Sequence, residues 1–181
     1  MFAVADTHLT VADRTRRLDA VIFNILICNT GAHAKNYSIL LTGRGFSLAP
    51  LYDLICAATW ENVTRNLSQT IAGKDRGDCV MGRHWQRMAD ECGFNRTMIL
   101  QRVEALAGKA RRNIAPAVEL VRAMPGGGHP LLGDFAAAID SRCRTVVRNL
   151  AHVENIGDGG GGDDMEKAAA IARGGPFQTE A

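Results

Sequence analysis

The segment Asn29 to Asn36, reading NTGAHAKN, brings two amides, an imidazole and an ammonium into eight residues, and a lone carboxylate, Asp53, follows in LYDLICA. A loop carrying His33, Lys35 and Asn36, with an acid just beyond it, can set an amide, a cation and a carboxylate around one point. Phosphoryl transfer asks for such a set. A magnesium ion bridging phosphate oxygens takes hard oxygen ligands, typically a carboxylate and an amide carbonyl. The same spacing also suits a purely structural reading, in which Asn36 holds a turn and Asp53 caps a helix.

The elements that must position these groups are visible in the hydrophobic pattern. From about Thr10 to Cys28, Leu18, Val21, Ile22, Ile25 and Leu26 recur at helical spacing, with Thr10 or Asp13 as the cap and Arg14, Arg16 and Arg17 on the other faces. The polar loop follows directly. YSILL, the turn TGRG and FSLAP then predict a β-hairpin that Pro50 ends, after which LYDLICA places Asp53 in an apolar setting. LSQTIAG suggests a further short strand, and His84 to Glu91 a short helix closed by Gly93. A long helical pattern from about Asn95 to Ala123 is expected to kink or divide at Pro116, and a last helix spans Leu131 to Leu150. The expected fold is mainly α with a small β-hairpin, and no internal repeat is apparent.

The string NTGAHAKNYSILL followed by LAPLYDLICA resembles the catalytic loop and metal-binding segment of HipA-family serine/threonine kinases, the toxins of bacterial HipBA toxin–antitoxin pairs. The similarity continues through LSQTIAG and covers roughly residues 10 to 125. The resemblance implies the C-terminal, helical lobe of a protein-kinase-like fold and ATP-dependent phosphorylation of protein serine or threonine. It implies Mg2+ and ATP as cofactors, with Asn36 and Asp53 as metal ligands. Asn36 and Lys35 would belong to the catalytic loop, and His33, Ala34, Lys35, Asn36, Tyr52 and Asp53 would lie along the nucleotide. A HipB-like helix-turn-helix antitoxin, DNA reached through that complex, and a protein substrate would be the partners.

Gly31 stands where the family pattern has its catalytic aspartate, and no acidic residue occurs between Asp19 and Asp53. Losing a positioned general base typically costs about a hundred- to ten-thousand-fold in rate, on the order of 3 to 5 kcal/mol. A kinase also needs an N-terminal lobe with a phosphate-covering loop and a strand lysine, and only about 30 residues precede the loop here. Gly126 to Gly128 follow the catalytic elements and read as an interhelix loop rather than a phosphate cradle. The expectation is therefore a truncated, inactive kinase remnant. The alternative is a non-catalytic module that binds an antitoxin–DNA complex.

Composition sets the remaining bounds. The 181 residues are 46% hydrophobic and 22% charged, the profile of one soluble globular domain. No run reaches the roughly 18 apolar residues of a spanning helix, and no secretory signal is visible, so no membrane association and a cytoplasmic location are expected. The net charge of +2 is uneven: residues 151 to 181 carry six acidic and two basic side chains, and seven of the 19 glycines. That excess of glycine and charge over apolar residues marks 153–181 as a flexible tail after a domain spanning 1–152. Cys28, Cys56, Cys79, Cys92 and Cys143 are widely spaced and never form CxxC, so reduced thiols are expected rather than a disulfide framework or zinc ribbon. Lys109, Arg111, Arg112, Arg142, Arg144 and Arg148 could meet DNA phosphates, but ordinary solvated helix faces carry as many charges.

Overall fold

In the computed structural model, which describes residues 9–43 and 45–154, the first helix α1 runs Val11–Leu26. Thr10 caps it, its hydroxyl oxygen accepting the Asp13 N–H at 3.1 Å and so satisfying one of the free donors of the first turn. The helix stops in a Schellman arrangement. Asn29 N–H donates to the Asn24 carbonyl at 2.8 Å and Cys28 N–H to that of Ile25 at 3.2 Å, which requires Cys28 to take the left-handed conformation, φ 62°. Glycine usually fills that position, since a side chain there costs roughly 1 to 2 kcal/mol.

A short 3-10 turn, Ala34–Asn36, leads into β1 (Ile39–Thr42), which pairs antiparallel with β2 (Gly45–Leu48). The structure adds a second hairpin that the sequence suggested only as a lone strand: β3 (Asn66–Ile71) pairs with β4 (Lys74–Arg76). Its turn is Ala72 and Gly73, at φ 45° and 77°, the left-handed pair that matches strand twist in a two-residue hairpin.

The remaining elements are helical. Helix α2 (Gly82–Glu91) ends through Gly93 at φ 67°, with Phe94 N–H returning to the Ala89 carbonyl at 2.8 Å. Helix α3 (Arg96–Arg122) starts on Asn95, whose side-chain oxygen accepts the Met98 N–H at 2.9 Å. Of the two outcomes expected at Pro116, a kink or a division, division does not occur. Pro116 and Arg112 both lie on the exposed face, where the hydrogen bond that proline cannot donate is lost away from the core. Helix α4 (Leu132–Asn149) packs back along α3.

One core joins all four helices. Leu18, Ile22 and Leu26 of α1 meet Trp85 and Met88 of α2, Ile99 and Val103 of α3, and Cys143 and Val146 of α4, with Ile71 of β3 beneath them. Full burial of each large apolar side chain contributes about 1.5 to 3 kcal/mol. Arg17 departs from the expected outward placement and is buried, because Asp13, Arg17 and Asn24 share one inward stripe of α1 with Ala20 and Val21. Residues 155–181, most of the expected tail, lie outside the described residues. Glu154, inside that expected segment, is docked: its N–H donates to Gln86 Oε1 at 2.8 Å.

Candidate functional site

The site grows from the end of α1. Because the helix stops at Leu26, the chain turns at Cys28 and presents Asn29 inward, only 3% exposed. The Asn29 amide nitrogen donates to Asn24 Oδ1 at 2.9 Å and to the Asp53 carbonyl at 2.8 Å, while its oxygen accepts the Gly31 N–H at 3.1 Å. A single buried amide thus ties the helix end, the 29–36 loop and the segment of Asp53. Asn24 passes the link to Tyr37, donating to its hydroxyl at 3.1 Å.

Strand β3 grips the loop from the other side. Ser68 N–H and Oγ both donate to the Thr30 carbonyl, at 3.0 and 2.6 Å, and Gln69 Nε2 donates to the Ala32 carbonyl at 2.5 Å. The loop carbonyls are therefore held by β3 through one main-chain N–H and two side chains. The Ser68 hydroxyl also lies 3.2 Å from His33 Nε2.

Of the residues singled out from sequence, Asn36 and Asp53 come into direct contact. Asn36 Nδ2 donates to Asp53 Oδ2 at 2.5 Å and also to the Gly31 carbonyl at 3.3 Å. Asp53 is exposed rather than set in an apolar environment, because Tyr52, Leu54 and Ile55 beside it are exposed too. Its backbone is left-handed, φ 57°, a conformation aspartate tolerates better than most side chains. Tyr52 braces the same loop, its hydroxyl donating to the Lys35 carbonyl at 2.9 Å and sharing a 2.9 Å hydrogen bond with Ser38 Oγ. His33, Ala34 and Lys35 are exposed along the 3-10 turn, and no contact joins the Lys35 side chain to Asp53 among those described.

These donors suit a hard cation of the magnesium type. With Nδ2 turned to Asp53, Asn36 keeps its carbonyl oxygen for a metal, and Asp53 keeps its second carboxylate oxygen. No cluster of three or more His, Cys, Asp or Glu able to hold a metal occurs among the described residues. Two protein oxygens suffice for Mg2+, which binds through one or two carboxylate-type ligands and completes its octahedron with water and substrate phosphates.

Gly31 has open space at its Cα. An added Cβ would meet only Asn29 Oδ1, at an ordinary 3.6 Å. The absence of a side chain there is a chemical feature and not a steric requirement. Sequence reading overlooked Asn24, Asn29, Ser68 and Gln69. The available signal was the pair of asparagines, Asn24 and Asn29, in and just after the apolar end of α1, whereas Ser68 and Gln69 lie on a strand exposed at alternate positions and give none.

The basic residues proposed for phosphate contact divide. Arg111 and Arg144 both grip Asp140, at 2.8 and 2.7 Å, and together hold its carboxyl below the usual aspartate range. Arg142 turns inward, its guanidinium filling the space beside Gly77 that a Cβ would take. Lys109, Arg112 and Arg148 remain exposed.

Comparisons with known proteins agree on one lineage. The family model described as HipA-like C-terminal domain matches residues 1–114. Y4mE, a kinase candidate of Sinorhizobium fredii, is 30% identical over 107 residues, 59% of this chain and 26% of its own length. The serine/threonine-protein kinase toxin HipA of Shewanella oneidensis is 23% identical over 148 residues, 82% of this chain and 34% of its own. The solved complex of HipA, HipB and operator DNA from Shewanella oneidensis superimposes with a TM-score of 0.71 at 22% identity, over 79% of this chain and 34% of the other. The chain thus spans about a quarter to a third of the length of the curated relatives it matches.

Proposed function

The chain belongs to the HipA-like C-terminal domain family, and from that premise we propose that it supplies the metal- and phosphate-binding half of a HipA-type kinase site but not its general base. The observation that carries this reading is the 2.5 Å contact between Asn36 and Asp53, which sets an amide and a carboxylate oxygen side by side on an exposed rim. Asn36 and Asp53 hold Mg2+, which when bound neutralises nucleotide phosphate charge. Asn29 fixes the backbone of Asp53, and Ser68 and Gln69 fix the backbone of the loop. His33, Lys35 and Tyr52 flank the place of the nucleotide.

Gly31 leaves the chain unable to take a proton from a substrate hydroxyl at the position where the family pattern has an aspartate. His33 is occupied by Ser68 at 3.2 Å and does not replace it. Phosphorylation of a protein serine or threonine is accordingly the activity of the lineage, while this chain is the inactive counterpart.

Calorimetric titration with Mg2+ and ATP, beside a transfer assay with radiolabelled ATP, tests both halves. Nucleotide binding should require Mg2+ and weaken at least about tenfold in Asp53→Ala, in line with loss of a charged ligand. Binding unchanged in Asp53→Ala would sink the metal assignment, and phosphate incorporation that vanishes in that variant would sink the inactivity.

A second reading rests on the neighbouring structure, which is a HipA–HipB–operator DNA complex. In it the chain acts without catalysis, engaging a helix-turn-helix antitoxin of the HipB type and, through it, DNA. Association that persists without nucleotide, in a pull-down with such an antitoxin, is its expected mark; no association removes its support.

A further inference from the structure

The left-handed turn at Cys28 has a chemical consequence separate from metal binding. Its carbonyl accepts the Ala57 N–H at 3.1 Å, which lays residue 28 against the backbone of Cys56. The two thiols lie beside one another, and the Cys28 sulfur also faces the Ala138 carbonyl at 4.0 Å. Cys28 is buried, 5% exposed, whereas Cys56 is half-buried and the more accessible of the two.

We propose that Cys56 and Cys28 form a peroxide-responsive dithiol, in which Cys56 is oxidised first and Cys28 closes an intramolecular disulfide. The pair is built for that order. The neighbouring Cys28 thiol, the Ala58 N–H, Arg142 and Arg65 hold Cys56 below the ordinary thiol range, which favours the nucleophilic thiolate at the more accessible of the two sulfurs. The neighbouring Cys56 and burial hold Cys28 well above the ordinary thiol range, keeping its proton. Cys143, the third thiol near them, is fully buried and pushed up to about 11 by desolvation.

The chemistry balances with hydrogen peroxide as oxidant. The Cys56 thiolate attacks one peroxide oxygen, an S–O bond forms, the O–O bond breaks, and hydroxide leaves to become water with one proton. The Cys28 sulfur then attacks the sulfenic sulfur of Cys56, an S–S bond forms, the S–O bond breaks, and a second water leaves with the Cys28 proton. Two thiols lose two electrons and peroxide gains them. The ring so closed encloses the whole 29–36 loop, β1, β2 and Asp53, so oxidation clamps the candidate site covalently without touching its oxygens.

The test uses the full chain and does not depend on nucleotide or metal. The protein is treated with equimolar hydrogen peroxide at neutral pH, alkylated under denaturing conditions, and digested with trypsin without reductant. A linked pair of the peptides spanning 18–35 and 45–65, released by reductant, is expected, with Cys79, Cys92 and Cys143 alkylated. In Cys28→Ser, Cys56 should accumulate as sulfenic acid trapped by dimedone, and in Cys56→Ser the linked pair should be absent. Oxidation falling first on exposed Cys79, linkage of Cys28 to Cys143, or complete alkylation of both Cys28 and Cys56 would each overturn the proposal. Because the linked peptide is read in the unaltered protein, a poorly folded variant does not obscure the result.

Discussion

Replacing Asn29 with alanine should damage the fold more than replacing Asn36, although Asn36 is the residue assigned to the metal. Asn29 is 3% exposed and makes three side-chain hydrogen bonds, to Asn24, Asp53 and Gly31. Each such bond is worth about 0.5 to 1.5 kcal/mol net, and a buried partner left unsatisfied costs roughly 1 to 3 kcal/mol. Gly31 and Asp53 are exposed and can turn to water when the amide goes. Asn24, 6% exposed, cannot, and its orphaned oxygen carries most of the cost. The loss should total about 2 to 4 kcal/mol, or roughly 5 to 15 °C in melting temperature for a domain of this size. Asn36→Ala removes bonds at an exposed rim and should cost under about 1 kcal/mol while abolishing Mg2+-dependent nucleotide binding. Urea and thermal denaturation followed by circular dichroism measure both. Asn29→Ala within about 0.5 kcal/mol of the parent, or Asn36→Ala costing as much, would refute the view that the buried amide holds the site together.

Three further outcomes follow from local geometry. Gly31→Asp should leave stability within about 1 kcal/mol, because the new Cβ meets only Asn29 Oδ1 at 3.6 Å; a melting temperature lowered by more than roughly 5 °C would show a hidden steric demand. His84 Nδ1 accepts the Met81 N–H at 2.9 Å, so the folded state needs the neutral ring, and burial with Arg83, Lys74 and Arg87 nearby lowers its pKa below 6.5. That contribution is full above the unfolded histidine value of about 6.5 and is lost as pH falls through it, so melting temperature should drop as pH is lowered past about 6.5, and less steeply in His84→Gln. Pro116→Ala should stabilise α3 by about 1 to 3 kcal/mol, since it restores an N–H in a continuous helix at an exposed position, and a neutral or negative change in thermal denaturation would contradict that account.

Periodicity carried the helices because it encodes a buried face directly. Leu18, Val21, Ile22, Ile25 and Leu26 announce α1, and Thr10 and Gly93 mark ends through capping chemistry that depends on neighbours in sequence. Three features were hidden because they depend on tertiary placement. The second hairpin turns on Ala72 and Gly73, a pair weaker in turn preference than Asn-Gly, and strand β4, Lys74–Arg76, is exposed throughout and has no hydrophobic alternation. Pro116 reads as a break in one dimension, and only the structure shows that it sits on an exposed face inside a continuous helix. Arg17 reads as a surface cation, yet it lies on the α1 stripe that faces inward.

The candidate site divides along the same line. Asn36 and Asp53 stand out in sequence as a motif, whereas Asn24, Asn29, Ser68 and Gln69 act by holding backbone and leave no motif, so only coordinates show them. That division bears on Gly31. The hydrogen bonds that shape the 29–36 loop include Asn29 on the Gly31 N–H, Ser68 on the Thr30 carbonyl, Gln69 on the Ala32 carbonyl, Asn36 on the Gly31 carbonyl and Tyr52 on the Lys35 carbonyl. None uses a side chain at position 31. A base at that position can therefore be absent without any penalty to the loop, and the Asn36–Asp53 pair keeps its geometry independently of whether the site can move a proton. On the proposed function, the contacts that shape the site and the residue at position 31 are therefore separable, so a loop that holds the Asn36–Asp53 pair does not require a base there.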